Sequence, residues 1–150
     1  MEPSPWILQA EHNLEVARYL KEKNYWSWST FLSHQAAEVA TKGVLLLFKK
    51  SDQPDHKLVY SEVSHRINEL LEEFPFLLKK TLPLEIRELE AISKDFTETR
   101  YPKTFESYPP FTTYTLENAE KAYTLSEKIV SYCKKVADML ETSFETLAKG

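Results

Sequence analysis

Apolar residues recur along most of this chain every three or four positions, the spacing that collects them on one face of a helix. Near the start, Ser4 offers a capping oxygen and Pro5 suits the first helical position. Trp6, Leu8, Ala10, Leu14, Ala17 and Leu20 then predict a helix of about five turns, ended by Asn24. A second helix is predicted over residues 25–50, with Trp28, Phe31, Leu32, Gln35, Ala36, Val39, Ala40, Gly43, Leu46 and Leu47 at helical spacing. The small Ala36, Ala37 and Ala40 point to close approach by another helix. Gly43 costs about 1 kcal/mol relative to alanine in a helix interior, so tight packing is the expected reason for it.

Ser51, Asp52, Gln53, Pro54 and Asp55 form a loop by composition. A third helix, capped by Ser61 or Ser64, carries Val63, Ile67, Leu70, Leu71 and Phe74, and stops or turns at Pro75. A fourth begins near Pro83 and turns Leu84, Ile86, Leu89, Ile92 and Phe96 inward. It closes at Arg100-Tyr101-Pro102, because proline disfavours helical geometry at the residue before it. Residues 102–114 hold three prolines and the aromatics Phe105, Tyr108, Phe111 and Tyr114. They read as a loop without secondary structure, of a length that is often functional. Thr115 then caps a long last helix whose stripe is Ala119, Ala122, Tyr123, Ser126, Ile129, Val130, Cys133, Val136, Ala137 and Leu140. The pattern predicts an all-α fold, an up-down antiparallel bundle of four to five helices forming a single domain over residues 1–150.

Composition sharpens this picture. Two glycines in 150 residues leave little material for hairpins or for a phosphate-cradling loop. A net charge of −4 supplies no global field for nucleic acid, so any such contact needs a local patch. Lys49-Lys50 and Lys79-Lys80 are too short for one and read as solvated surface. The single Cys133 excludes an internal disulfide and falls on an apolar face, as a packed thiol does. No stretch reaches the ~18 apolar residues of a membrane span. The start, Met1 to Pro5, is acidic and lacks an apolar signal core, so the expected location is cytoplasmic.

Candidate chemistry gathers where the fourth helix is expected to end. Arg100 places a guanidinium, the side chain best shaped for phosphate, beside the stacking ring and hydroxyl of Tyr101. The plain alternatives are an ion pair of Arg100 with Asp95, Glu98 or Glu106, and a half-buried tyrosine. His34, Glu38 and Lys42 recur every four residues on one helical face, either as the polar wall of a cleft or as a solvated stripe in which Glu38 pairs with Lys42. Asp95 completes the nucleotide-binding set of Arg100, Tyr101, His34, Glu38 and Lys42. His56 and His65 have no ligand spacing around them, so no metal site is assigned, and no catalytic residue or cofactor either.

Several segments, in this order, resemble a HEPN domain over roughly residues 6–142: a tryptophan-led first helix, Leu32-Ser33-His34-Gln35-Ala36-Ala37-Glu38, Ser64-His65-Arg66-Ile67-Asn68-Glu69-Leu70-Leu71, Thr99-Arg100-Tyr101-Pro102 and Thr115-Leu116-Glu117-Asn118-Ala119-Glu120. The flavour is that of the sacsin C-terminal domain and of small stand-alone prokaryotic members. The resemblance implies a homodimer with a cleft for a nucleotide (ATP or GTP) or RNA. It also implies a minimal nucleotidyltransferase as partner, in a toxin–antitoxin pair. Catalytic members are metal-independent ribonucleases with an arginine followed a few residues later by histidine. Arg100 matches that arginine, but positions 105–107 are Phe105, Glu106 and Ser107. None of these moves a proton near neutral pH as histidine does. The expectation is therefore a nucleotide-binding protein without turnover. The alternatives are a ribonuclease in which His34 or His65 substitutes, and an interaction module governed by the nucleotidyltransferase.

Overall fold

A computed structural model describes residues 4–52, 67–85, 88, 98–102 and 107–149. The described residues form six helices: α1 (Pro5–Glu22), α2 (Trp26–Asp52), α3 (Ile67–Glu72), α4 (Phe76–Lys79), α5 (Pro110–Thr113) and α6 (Leu116–Lys149). The fold is an all-helical bundle in which α1, α2 and α6 are the three long members and α2 touches both of the others. Most of the expected fourth helix, with Ile86, Leu89, Ile92 and Phe96, lies outside the described residues, as do the caps Ser61 and Ser64.

α1 begins with Pro5 at its first turn, but the Ser4 hydroxyl makes no cap bond. Ser4 is almost fully buried, and its carbonyl takes the first helical bond from the Leu8 N–H at 3.0 Å. Ile7, Ala10, Leu14 and Ala17 face inward, whereas Leu8, expected on that face, stands half-exposed. The helix ends as expected at Asn24, which adopts a left-handed φ of 68°. The Tyr25 N–H bonds the Leu20 carbonyl at 2.9 Å and the Asn24 N–H bonds the Lys21 carbonyl at 3.2 Å, so these two end carbonyls are satisfied.

α2 runs back along α1. At one end the Ser29 hydroxyl donates to the Ala17 carbonyl at 2.7 Å. At the other, a Cβ added to Gly43 would lie 2.5 Å from the Trp6 Cβ, so the glycine is the residue that permits contact there. On its α6 side, the Thr41 hydroxyl donates to the Ala37 carbonyl at 2.7 Å and sits 4.0 Å from the Cys133 sulfur. The core joins Ala36, Ala37, Ala40 and Val44 of α2 to Ile129, Val130, Cys133, Val136 and Ala137 of α6. Small side chains here let three long helices come close, as the alanine pattern predicts.

Ile67, Leu70, Leu71 and Phe74 of the third helical segment are buried, and Pro75 follows at the turn. Phe74 stacks on Tyr132 (centroids 6.5 Å apart, planes at 22°), and the Tyr132 hydroxyl donates to the Leu78 carbonyl at 2.7 Å. That bond ties α4, a single turn without a periodic signal of its own, to the long last helix. Residues 102–114 are not loop throughout: Pro109 is the N-cap of α5, and Pro110 supplies a fixed φ at its first position. Thr115 caps α6 as predicted. The Asn118 N–H bonds the Thr115 hydroxyl at 3.2 Å, and the Asn118 Oδ1 accepts the Thr115 N–H at 2.9 Å. The whole predicted α6 stripe is buried or half-buried.

Candidate functional site

The turn after Glu98 carries the chemistry. Thr99 is buried and anchors it, Arg100 is half-buried, and Tyr101 and Pro102 face out. The Arg100 guanidinium carbon lies 4.9 Å from the Phe31 ring centroid and 5.1 Å from that of Tyr101. Two aromatic faces therefore hold the cation in place. Trp28, one helical turn before Phe31, meets its ring edge-on at 6.1 Å. Helical spacing puts both on the core face of α2. Trp28 is instead half-exposed.

Beside this turn opens a cleft of about 420 Å³, lined among others by Glu98, Tyr101, Tyr108, Pro110, Tyr114 and Asn118. Two of the loop aromatics, Tyr108 and Tyr114, thus line a cleft, while Phe111 points to solvent. Phe105 and Glu106 lie outside the described residues. Arg100 itself stands behind Tyr101 rather than in the cleft wall. Asn118 escaped the sequence reading as a site residue. The signal for it was the Thr115-x-x-Asn118 spacing directly after the aromatic loop, which fixes its side chain at the start of α6.

His34, Glu38 and Lys42 do share one face of α2, but that face is neither a cleft wall nor a solvated stripe. Their relative exposures are 1, 3 and 5%. The pairing foreseen between Glu38 and Lys42 is present, with the Lys42 Nζ 2.7 Å from Glu38 Oε1. The Gln35 Nε2 donates to the other carboxylate oxygen at 3.0 Å, and the His34 Nδ1 is 3.9 Å from it. A buried carboxylate with partners on both oxygens is what a low-dielectric interior requires. Asp95, His56 and His65 lie outside the described residues.

Cys133 fits its expected packed role: burial pushes its thiol up to about 12, with the Thr41 hydroxyl pulling weakly the other way. Such a thiol is no nucleophile near neutral pH. Among the described residues no three His, Cys, Asp or Glu side chains gather as metal ligands, and no helix is long and apolar enough to cross a membrane.

Known proteins carry the same architecture. A crystal structure of the protein TT1696 from Thermus thermophilus superposes with a TM-score of 0.69 at 27% identity, over 87% of this chain and 94% of that one. ST0689, an archaeal HEPN homologue, matches with a TM-score of 0.63 at 30% identity, over 90% of this chain and 98% of its own. In sequence, the "Putative toxin MJ1304" of Methanocaldococcus jannaschii is 29% identical over 135 residues, covering 86% of this chain and 84% of that protein. The HEPN domain family matches residues 4–136, which span α1, α2, the Arg100 turn and most of α6, and the chain belongs to that family.

Proposed function

We propose that this HEPN protein is a homodimeric binding protein that takes a nucleotide or another phosphate-bearing ligand at the Arg100-Tyr101-Pro102 turn, without turnover. The observation that carries the reading is the Arg100 guanidinium, held over Phe31 and Tyr101 beside a 420 Å³ cleft rich in tyrosine. A cation fixed by two rings loses little freedom when it meets a phosphate, and exposed rings next to it offer faces for a base. Trp28, Tyr108 and Phe111 leave apolar surface around the turn, which suits contact with a second copy.

The ribonuclease alternative needs a histidine to move protons. His34 is 1% exposed and sits against Glu38, away from solvent and from the cleft. His65, the other candidate, lies outside the described residues, and we read the family's arginine here as a binding group. The relative named as a toxin supports a toxin–antitoxin setting, in which a minimal nucleotidyltransferase would be the partner.

Calorimetric titration with ATP, GTP and a short single-stranded RNA tests the reading, with wild type and Arg100→Ala side by side. The expected result is binding that weakens roughly ten- to a hundredfold in the variant, the loss of a charge-assisted bond. Equal binding by both proteins would remove Arg100 from the site. Cleavage of the RNA in chelator, lost in Arg100→Ala, would restore the ribonuclease. Sedimentation of the pure protein as a monomer would end the dimer proposal.

A further inference from the structure

We infer that the groove between the turn after α4 and the middle of α6 is a binding site for a sugar phosphate, in which Lys128 and Lys135 take the phosphate and Thr81 takes a sugar hydroxyl. The groove shares no lining residue with the cleft beside the Arg100 turn, and the inference stands apart from the reading given above.

The groove holds about 330 Å³, at the low end of ligand sites, so it suits one small molecule or one unit of a larger one. Its α6 wall carries Lys128, Ser131 and Lys135, all on the exposed side of that helix. The two lysines are two turns apart, about 10 Å along the axis. Ser131 lies between them on the same face. Long, flexible stems let both ammonium groups close on one anion beside the serine hydroxyl. An ammonium only donates, so this end of the groove is built for an acceptor. In the sequence the two lysines form no run, and only the helix period brings them together.

The opposite wall accepts. The Leu78 carbonyl meets the Thr81 N–H at 3.0 Å, the Thr81 hydroxyl at 2.9 Å and the Tyr132 hydroxyl at 2.7 Å. The two hydroxyl oxygens are 3.1 Å apart. Each hydroxyl has one hydrogen, and both hydrogens are used on Leu78 or on the bond between the hydroxyls. What Thr81 offers the groove is therefore lone pairs. Glu127 adds carboxylate oxygens on the rim; its Oε2 takes the Tyr123 hydroxyl at 3.2 Å, and a carboxylate has room for further donors. The same bonds tie the turn to α6, where Phe74 stacks on Tyr132, so the wall is formed before any ligand arrives.

A bare phosphate uses only the lysine end and is repelled by the carboxylate on the rim. A bare sugar uses only the acceptor end. A sugar phosphate uses both, with its anion between the lysines and a hydroxyl donating to Thr81. That chemistry is available free in solution or within the backbone of RNA, whose 2′-hydroxyl can donate.

Calorimetric titration of the full chain with ribose 5-phosphate, inorganic phosphate and ribose tests this. Wild type should bind ribose 5-phosphate about tenfold or more tightly than either fragment. Lys128→Gln/Lys135→Gln, two exposed changes that spare the core, should weaken that binding about tenfold or more. Thr81→Val keeps the shape, removes the hydroxyl and should bring ribose 5-phosphate to the level of inorganic phosphate. Arg100→Ala should leave it unchanged, which separates this site from the nucleotide reading. The assignment would be overturned by a wild type that does not bind ribose 5-phosphate, or that binds inorganic phosphate as tightly. Full binding by the double lysine variant or by Thr81→Val, or loss in Arg100→Ala, would overturn it as well. Displacement of ribose 5-phosphate by a short single-stranded RNA, and not by DNA of the same sequence, would support the site with the RNA backbone as its source. Binding that the RNA leaves untouched would support it with the free compound as ligand.

Discussion

The two longest helices, α2 and α6, treat the same physics differently. On α6 the buried positions Ala119, Ala122, Leu125, Ser126, Ile129, Val130, Cys133, Val136 and Ala137 form one stripe, and the opposite side is exposed. On α2, every residue from Ser33 to Leu45 is buried except Gln35 and Val39, which are half-buried. α1, α3, α5 and α6 all touch it. A helix with one covered side can leave its polar residues in water. A helix covered on most sides finds partners for most of them within the protein, although Trp26 Nε1 and Ser33 Oγ of α2 are buried without a hydrogen bond among the described residues. The Thr30 and Thr41 hydroxyls donate to the carbonyls one turn back, at 2.8 and 2.7 Å, the Ser29 hydroxyl reaches across to α1, and Glu38 holds Lys42 and Gln35.

The largest test of this contrast is the buried ion pair. Glu38→Ala leaves the Lys42 ammonium in the interior without the carboxylate at 2.7 Å, which should cost about 3–5 kcal/mol in urea unfolding. The double variant Glu38→Leu/Lys42→Met removes both charges and should lose far less. A Glu38→Ala cost within about 0.5 kcal/mol, as for an ordinary exposed position, would mean that α2 is solvated like the outer side of α6.

This contrast also explains what was legible in the sequence. Periodicity counts apolar residues, so it found the α6 stripe, the inward residues of α3 and the close approach at Gly43. It placed His34, Glu38 and Lys42 on one face correctly. It had no means of seeing that this face is covered, because burial by other elements leaves no mark on spacing. One-turn helices such as α4 and α5 are too short to show a period at all. At the candidate site, Arg100, Tyr101, Tyr108 and Tyr114 stood out by residue type. Phe31 and Asn118 did not, since an aromatic on a helix reads as core and an asparagine after threonine reads as a cap; Asn118 is both a cap and a cleft residue.

The seam between the two helices should show itself at high pH. The Cys133 thiol is raised by burial from 9.0 to about 12, so between those values the unfolded chain loses a proton that the native one keeps. The unfolded state then binds fewer protons, and stability must fall as pH rises through that window. Tyr123 and Tyr132, also raised by burial, act in the same direction. From about pH 8.5 to 10.5 the Cys133 contribution is a loss of about 2 kcal/mol, at 1.36 kcal/mol per pH unit. In urea unfolding across that range, Cys133→Ala should show a shallower decline than wild type. Identical slopes would mean that the thiol is not sealed between Thr41 and the α6 core.

Gly43 tests the other seam of α2. Alanine there gains up to about 1 kcal/mol of helix propensity but meets the Trp6 Cβ at 2.5 Å and its Cγ at 3.2 Å. Overpacking of this kind costs about 1–3 kcal/mol, so Gly43→Ala should destabilise by about 1 kcal/mol net. The atom met is the Trp6 Cβ, which leucine also carries, so Gly43→Ala combined with Trp6→Leu should remain destabilised. A stabilised Gly43→Ala would place α1 further from α2 than the 2.5 Å approach to Trp6 implies.

The smallest effect belongs to α6, where the surroundings are simplest. Thr115→Ala removes the hydroxyl that accepts the Asn118 N–H at 3.2 Å and the donor that fixes Asn118 Oδ1 from the side-chain end. Loss of such a cap costs about 1 kcal/mol, and water can replace part of it because the site is exposed. The backbone N–H of Thr115 still donates to Oδ1, so the orientation of the Asn118 amide survives. The variant should therefore lose stability in urea unfolding without changing nucleotide binding at the cleft. A variant that keeps full stability but binds differently would reverse that assignment: Thr115 would then be serving the ligand through Asn118, and the start of α6 would resemble α2 in having polar groups committed to something other than water.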